Sequence, residues 1–142
     1  MSLNQRLENL TIDKDSILYF DEGILGFENV KQYVLLQEED VPFLMTLQAV
    51  ESEHPSFVVV DPFAVVEEYA PRLSQSDMHF FNGAASEDLR FLVMVVMPSQ
   101  VQDAVVNLKS PLVIDVRNNH CRQVILEDNA YPIRHRLFGD NH

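Results

Sequence analysis

The chain has 142 residues, the length of one ordinary domain, and its 46% apolar and 23% charged residues exclude the composition of a disordered protein. Its 22 acidic residues outnumber the 10 basic ones, giving a formal net charge of -12 that disfavours direct binding to nucleic acid, because the summed field repels phosphate. The single cysteine, Cys121, excludes an internal disulfide and favours a reducing compartment.

Seven segments rich in β-branched or aromatic residues predict strands, because each is bounded by Gly, Pro, Asn or acidic residues. They are residues 17–20, 33–36, 43–50, 57–60, 90–97, 112–116 and 121–126. In 43–50, alternation places Met45 and Leu47 on one face and Thr46 and Gln48 on the other, which predicts a strand with one face in water. The run 91–97 is apolar on both faces and predicts a central strand covered on both sides.

Helix is expected to be scarce. Ser74 or Ser76 can cap a short helix that runs to Asn82, with Gly83 as its C′ residue, and a second helical turn is predicted over 86–89. The segment 61–69 is ambiguous between helix and loop, although an Asp cap followed by Pro suits a helix start. Many short strands with one or two short helices predict an all-β, mainly antiparallel barrel or sandwich that forms a single domain over 1–142.

The chain contains no motif that predicts catalysis, a metal site or a cofactor site. Gly23 and Gly26 match neither phosphate-binding pattern and are interpreted as turn residues with positive φ. The five histidines lack metal-binding spacing, no Gly-x-Ser-x-Gly elbow occurs, and the adjacent acids Glu67 and Glu68 are typical of a solvated turn. We therefore expect a protein that is not an enzyme. A small-ligand-binding or catalytic β-barrel is the alternative, which a deep pocket with buried titratable groups would favour.

The first residues contain no apolar signal segment, and the longest apolar run, 91–97, is far shorter than the roughly 20 residues that span a bilayer. A cytoplasmic protein without a membrane partner is predicted. The charge is uneven, because residues 1–110 hold 18 acids and 6 bases whereas residues 111–142 hold 4 of each. This asymmetry fits either an acidic partner face or a surface that keeps the protein soluble.

Three stretches of the chain form a pattern when they are taken together. They are FDEGILGFE at 20–28; PF at 42–43 with LQAV at 47–50 and FVVVDPF at 57–63; and NLKSPLVID at 107–115 with QVIL at 123–126 and Tyr131. In this order and spacing they resemble the FliW family of flagellar assembly factors, over about residues 16 to 136. The chain departs from that pattern at Leu25, where the family often has Pro, and at Asp115, where it commonly has Asn.

The resemblance implies a cytoplasmic bacterial protein without catalytic activity, folded as a small β-barrel-like domain, that binds flagellin and the RNA-binding translational regulator CsrA. In that scheme the free protein binds CsrA and relieves repression of flagellin translation, whereas unsecreted flagellin captures the protein and releases CsrA. A protein of charge -12 bound to CsrA would also raise the local negative potential and disfavour RNA. We therefore expect electrostatic repulsion to contribute to the antagonism.

Seven residues in or near these stretches are candidates for partner contact: Glu22, Glu28, Phe63, Glu67, Glu68, Tyr69 and Asn107. Phe63 and Tyr69 are considered as exposed aromatic anchors, with burial in the core as the alternative for Phe63. Asp61 is expected to cap the turn at Pro62 rather than to touch a partner.

Overall fold

The computed structural model describes residues 16–37, 43–127 and 131–138. Within these ranges the chain forms nine strands and two short α-helices, which we number in chain order. The strands are β1 Leu18–Phe20, β2 Gln32–Gln37, β3 Leu44–Ala49, β4 Ser56–Val60, β5 Leu89–Val96, β6 Val105–Val106, β7 Leu112–Asp115, β8 His120–Gln123 and β9 His135–Arg136, and the helices are α1 Pro62–Val65 and α2 Gln75–Phe80. Two 3-10 turns cover Ser86–Asp88 and Val101–Asp103.

Seven strands close into a barrel in the order β4-β3-β2-β1-β8-β7-β5, because β5 pairs back onto β4 through Val59 with Met94 and Val60 with Val93. The pair of β1 with β8 is parallel, and the other pairs are antiparallel. Beyond the barrel, β5 continues into a small second sheet with β6 and β9. The predicted all-β, mainly antiparallel barrel is confirmed.

The barrel interior is filled by one buried apolar cluster, which we call the inner core. Its members are Leu18, Phe20, Ile24, Tyr33, Met45, Leu47, Ala49, Val59, Leu92, Leu112, Ile114 and Cys121. They alternate along the strands with outward residues, as the two-residue period of a strand requires. His120 and Cys121 follow this alternation, because His120 is exposed and Cys121 is buried.

A second buried cluster, the outer layer, lies against the outer surface of the barrel. Its members are Leu44, Val60, Tyr69, Phe81, Val93, Val95, Ala104, Val106, Leu108, Val113, Val124 and Leu126, with Val65 of α1 and Phe80 of α2 packed against them. Because Leu92 belongs to the inner core and Val93 to the outer layer, β5 is covered on both faces at its centre. The predicted central strand is therefore confirmed there, whereas Val96 and Met97 at its end are exposed where the strand leaves the barrel.

The prediction that β3 has one face in water is wrong. All six residues of β3 are buried, including the outward-facing Thr46 and Gln48. The Gln48 side-chain amide donates hydrogen bonds to the carbonyl oxygens of Ala49, Ser52 and Glu53, at 3.2, 3.1 and 3.1 Å. These bonds satisfy the N–H groups of the buried amide, whereas its oxygen Oε1 is buried without a hydrogen-bond partner among the described residues. Alternation alone cannot reveal this arrangement. Phe43, predicted as the first strand residue, precedes β3 and is exposed.

Both helices begin at side-chain caps. Asp61 Oδ1 accepts from the Phe63 backbone N–H at 2.9 Å and starts α1, while Ser74 Oγ accepts from the Asp77 N–H at 3.1 Å and starts α2. Ser74, rather than Ser76, is thus the cap, and the ambiguous segment 61–69 contains a helix of four residues. Gly83 has the expected positive φ, 79°, but the predicted helix to Asn82 ends earlier, at Phe80, with Phe81 as its C-cap, so Gly83 is not the C′ residue.

Candidate partner-binding surface

An apolar groove lies between α1, α2 and β5, and we call it the helix groove. Its volume is about 570 Å³. Its lining residues are Phe63, Tyr69, Ala70, Pro71, Arg72, Leu73, Met78, Ser86, Leu89 and Phe91. Phe63 and Met78 are both exposed, so two large apolar side chains border a concave apolar surface. Such surfaces are typical of protein-binding sites.

Phe63 is the most prominent of the candidate residues in the helix groove. The cap at Asp61 and the fixed φ of Pro62 set the start of α1 and therefore the position of the Phe63 ring. The ring makes edge-to-face contacts with Tyr69 at 5.6 Å and Phe91 at 6.1 Å between centroids, yet the residue remains 44% exposed. Phe63 is therefore an exposed aromatic side chain on an ordered base, which is the geometry of an interface anchor.

Tyr69 supports the floor of the groove from beneath. It is buried, its hydroxyl donates to the Leu108 carbonyl oxygen at 2.7 Å, and its ring lies 4.8 Å from that of Tyr131. Burial, and secondarily Tyr131, raises the pKa of Tyr69 well above its usual value, so the hydroxyl stays protonated and keeps donating. The expectation that Tyr69 is an exposed anchor is wrong, because its ring is needed to fill the outer layer.

Glu67 and Glu68 lie in the turn that connects α1 with Tyr69, and both are exposed. In the chain, these two carboxylates follow Phe63 of the helix groove by about one helical turn. Two solvated acids beside an apolar groove favour a partner with basic residues around an apolar segment.

Glu22 and Glu28 belong to a second feature, residues 21–28, which we call the acidic turn. Gly23 and Gly26 have φ of 69° and 90°, which confirms the prediction that they supply positive φ. Glu28 Oε2 accepts from the Gly26 N–H at 2.9 Å, and this bond lowers the pKa of the Glu28 carboxyl. Glu28 thus holds the turn in shape, in addition to any contact with a partner.

Arg122 connects the acidic turn to α2. Its guanidinium lies 3.5 Å from the Glu22 carboxylate and 3.4 Å from that of Asp77, and it stacks 5.0 Å from the centre of the Phe80 ring. A planar guanidinium can serve two carboxylates and an aromatic face at once, which a lysine cannot. Arg122 therefore links Glu22 of the acidic turn to Asp77 of α2.

Asn107 forms a turn between β6 and β7. Its side-chain oxygen accepts from the N–H groups of Lys109 and Ser110, at 3.1 and 3.0 Å, and the residue is half-buried. The motif that contains Asn107 therefore shapes this connection.

Comparison with known proteins gives the family. A family model described as FliW protein matches residues 2–137. The chain belongs to the FliW family. Among curated relatives, the flagellar assembly factor FliW of Caldicellulosiruptor saccharolyticus is 35% identical over 129 residues, 91% of this chain and 84% of that protein. The one from Clostridioides difficile strain 630 is 38% identical over 120 residues, 84% of this chain and 92% of that protein.

The fold agrees with that of a solved FliW-family structure. A chain described as the crystal structure of the flagellar assembly factor FliW superimposes with a TM-score of 0.85 at 31% identity, covering 94% of this chain and 93% of that one. The family resemblance seen in the sequence is therefore confirmed, and the chain is a flagellar assembly factor of the FliW family.

Several groups on the surfaces of this FliW-family protein are not evident from the sequence. Met78 belongs to no recognisable sequence motif. It reaches the helix groove only because of where α2 lies. Arg117 ion-pairs with Asp115 at 2.9 Å and donates to the carbonyl oxygens of Phe81 and Asn82. The balanced charge of the final quarter is the available sequence signal, because Arg122 there pairs with Glu22 and Asp77 of other segments.

The buried thiol of this FliW-family protein is held as a structural group. Cys121 Sγ donates to the Asn119 carbonyl oxygen at 3.3 Å, and burial raises the pKa of the thiol far above its usual value. Among the described residues, no group of three or more His, Cys, Asp or Glu side chains is placed to hold a metal ion. In the same ranges, no helix has the length and apolar character needed to cross a membrane.

Proposed function

We propose that this FliW-family protein binds flagellin and antagonises CsrA in the cytoplasm, and so couples flagellin synthesis to flagellin secretion. The observation that carries the proposal is the helix groove, where Phe63 is exposed on an ordered aromatic base beside Glu67 and Glu68. The curated relatives named flagellar assembly factor support the biological setting. In this scheme the free protein holds CsrA, and flagellin that has not been secreted displaces it.

The groove can supply useful binding energy at low ordering cost. The Phe63 ring is already fixed by Tyr69 and Phe91, so a partner that covers it gains apolar burial without having to order the ring. Truncating a central aromatic anchor typically costs about 2 kcal/mol or more, which corresponds to a roughly 30-fold weaker complex. Loss of Phe63 should therefore be readily measurable.

The net charge of -12 supports an electrostatic part of the antagonism. An RNA-binding regulator must offer positive charge to phosphates, and the acidic protein bound beside that surface lowers its attraction for RNA. The exposed Glu67 and Glu68, which follow α1 in the chain, contribute to this field.

The proposal is tested by titration calorimetry with flagellin and CsrA from the same organism. Wild type is expected to bind each protein at micromolar concentration or better, and flagellin is expected to displace CsrA. Phe63→Ser and Met78→Gln should weaken at least one complex by tenfold or more, whereas Val101→Ser, at an exposed apolar position in a 3-10 turn outside the groove, should not. Failure of the wild type to bind either protein, or tight simultaneous binding of both, would overturn the proposal.

The electrostatic part has its own measurement. RNA is titrated onto CsrA with and without this protein at rising salt, with complex formation verified at each step. Antagonism should weaken as salt reaches 0.5 M, where the Debye length is about 4 Å. If antagonism is unchanged there, RNA is excluded by steric or conformational means instead.

The alternative of a ligand-binding or catalytic barrel is not supported by a specific observation. It requires a deep pocket with buried titratable groups. The inner core contains two such groups, Tyr33 and Cys121, but the side chains of the inner core occupy the space inside the barrel. The helix groove lies on the outer surface, and its walls are mainly aliphatic and aromatic.

A further inference from the structure

We propose that the acidic turn carries a second docking surface, centred on Leu25 and Ile125, which takes a basic and apolar segment of CsrA. The inference rests on the proposed function, because CsrA is one of the two partners assigned there. It concerns a surface separate from the helix groove, formed by residues 21–28 and the segment that follows β8.

Leu25 and Ile125 are presented to solvent side by side. Leu25 is 77% exposed and Ile125 is 64% exposed, and both border a shallow depression of about 180 Å³ that Glu22, Glu28 and Gln123 also line. Single exposed apolar residues are ordinary on protein surfaces, but two that converge on one depression form a small apolar patch. We call it the Leu25–Ile125 patch.

The backbone beneath the Leu25–Ile125 patch is held by hydrogen bonds from both sides. The Leu25 N–H donates to Gln123 Oε1 on β8 at 2.9 Å, and the Phe27 N–H donates to the Ile24 carbonyl oxygen at 2.6 Å. Ile24 is buried in the inner core, and Glu28 closes the turn through its bond to Gly26. The turn therefore holds Leu25 outward in a fixed position, which lowers the entropy lost when a partner covers it.

Gly23 shows how closely the turn is packed. A Cβ atom built there would lie 2.5 Å from the Glu28 Cα, so the backbones of the two residues touch. Glu22 and Glu28 line the same depression as Leu25. The packing of the turn therefore fixes where Leu25 and these two acidic residues lie on the surface.

The charges around the Leu25–Ile125 patch favour a basic occupant. The Glu22 side chain is 65% exposed, and Glu28 is exposed with a pKa that its hydrogen bond from the Gly26 N–H lowers, so two solvent-facing acidic side chains border the patch. The basic groups nearby are Lys31, which interacts with Glu28, and Arg122, whose guanidinium also serves Asp77 and Phe80. A lysine or arginine of a partner can therefore form an ion pair with the Glu22 carboxylate, while a neighbouring apolar side chain of the partner covers Leu25.

Of the two partners in the proposed function, we assign CsrA to this surface. A protein that holds RNA must present positive charge, and a basic surface with an adjacent apolar side chain matches both the carboxylates and Leu25. Electrostatic attraction would also speed the encounter of the two proteins.

The test compares Leu25→Ser, Ile125→Ser and Glu22→Gln with two matched controls, Ile133→Ser and Glu87→Gln, which change exposed residues outside the patch. Binding of each variant to CsrA and to flagellin is measured by titration calorimetry, and thermal melting checks the fold. We expect Leu25→Ser and Ile125→Ser each to weaken CsrA binding about tenfold, Glu22→Gln to weaken it less and mainly at low salt, and the controls to match wild type.

The outcomes separate this inference from the proposed function. If wild type binds CsrA and both Leu25→Ser and Ile125→Ser bind it within twofold of wild type, the docking surface is wrong while the proposed function stands. If the two variants lose flagellin instead of CsrA, the assigned occupant is wrong. If folded wild type binds neither protein, both proposals fall. Because Leu25 and Ile125 lie on different segments, an unfolded variant at one position still leaves the other to decide.

Discussion

The inner core and the outer layer of this barrel are equally well buried, but they are held by different interactions. The inner core is an apolar cluster set by strand alternation, with Leu47 and Leu92 fully buried inside the barrel. The outer layer combines apolar packing with polar ties, such as the hydrogen bond from Tyr69 to Leu108 and the bond from the Ala70 N–H to Tyr131. The barrel thus provides stability, whereas the outer layer gives the helix groove its shape.

The largest effect is expected from Leu47→Ala. The side chain is fully buried at the centre of β3, and truncation of a buried leucine removes apolar contacts and leaves a cavity. We expect the free energy of unfolding to fall by about 3 kcal/mol, measured by urea denaturation. Val96→Ala at the exposed end of β5 is the control, with an expected change within about 0.5 kcal/mol. Equal losses in the two variants would contradict the described packing.

A smaller loss is expected from Gly23→Ala, which tests the attachment of the acidic turn to the inner core through Ile24. The new Cβ would meet the Glu28 backbone at 2.5 Å in a residue of positive φ. We expect a loss of about 2 kcal/mol or more. Gly26→Ala shares the positive φ but has no atom within 4 Å of the new Cβ, so it should cost only about 1 kcal/mol. Thermal and urea unfolding of both variants should give this order, and the reverse order would contradict it.

Tyr69→Phe tests the polar ties of the outer layer. It keeps the ring that contacts Phe63 and Tyr131 but leaves the Leu108 carbonyl oxygen without its donor. We expect a loss of about 1–2 kcal/mol in the free energy of unfolding, because a buried acceptor is left unsatisfied. Binding of the groove partner should also weaken, by less than in Phe63→Ser. A variant as stable as wild type would show that the hydrogen bond adds nothing to the outer layer.

The smallest effect on stability is expected when the pH is lowered, at a contact that joins the barrel to the end of α2. The Arg117 guanidinium hydrogen-bonds to Asp115 and lowers the pKa of that buried carboxyl, and it also reaches the carbonyl oxygens of Phe81 and Asn82. A lowered folded-state pKa contributes stability above the unfolded-state value, near 4, and that contribution is lost as the pH falls through the folded-state value.

The stability advantage of wild type over Asp115→Asn should therefore shrink as the pH falls below about 4. Urea unfolding of both proteins between pH 2 and 7 measures it. Glu28→Gln removes a second carboxyl of lowered pKa, in the acidic turn, and should show a pH dependence of the same sign. A difference between wild type and Asp115→Asn that stays constant across this range would contradict the assigned role of Arg117.

Much of the barrel could be predicted from the sequence, because its strands carry local signals. The seven predicted segments overlap strands of the barrel, and the caps at Asp61 and Ser74 follow directly from residue type. The two-residue strands β6 and β9 were not predicted, since their pairing depends on where β5 leaves the barrel. The burial of Gln48 does not follow from alternation, because it depends on the carbonyl groups of residues 49, 52 and 53, which accept from its side-chain N–H groups.

The candidate surfaces were less predictable, because they combine residues from distant segments. Phe63 was identified and is exposed, but the sequence could not place Met78 beside the same groove or Tyr69 beneath it. Leu25 was noted only as a departure from the family pattern, and its pairing with Ile125 depends on the contact between the turn and β8. Charge counting found the acidic excess, whereas the role of Arg122 between Glu22 and Asp77 required coordinates.

The parallel pair of β1 with β8 has a consequence for how the protein is made. Tyr19 and Phe20 lie beside His120 and Cys121, so the first strand of the barrel finds its second neighbour about a hundred residues later in the chain. A ribosome must therefore release β8, about a hundred residues after β1, before the barrel can close, and contacts of such long range slow folding. Until then β1 has an open edge that a chaperone or another nascent chain could occupy. A chain that stops before β8 should remain an unclosed sheet.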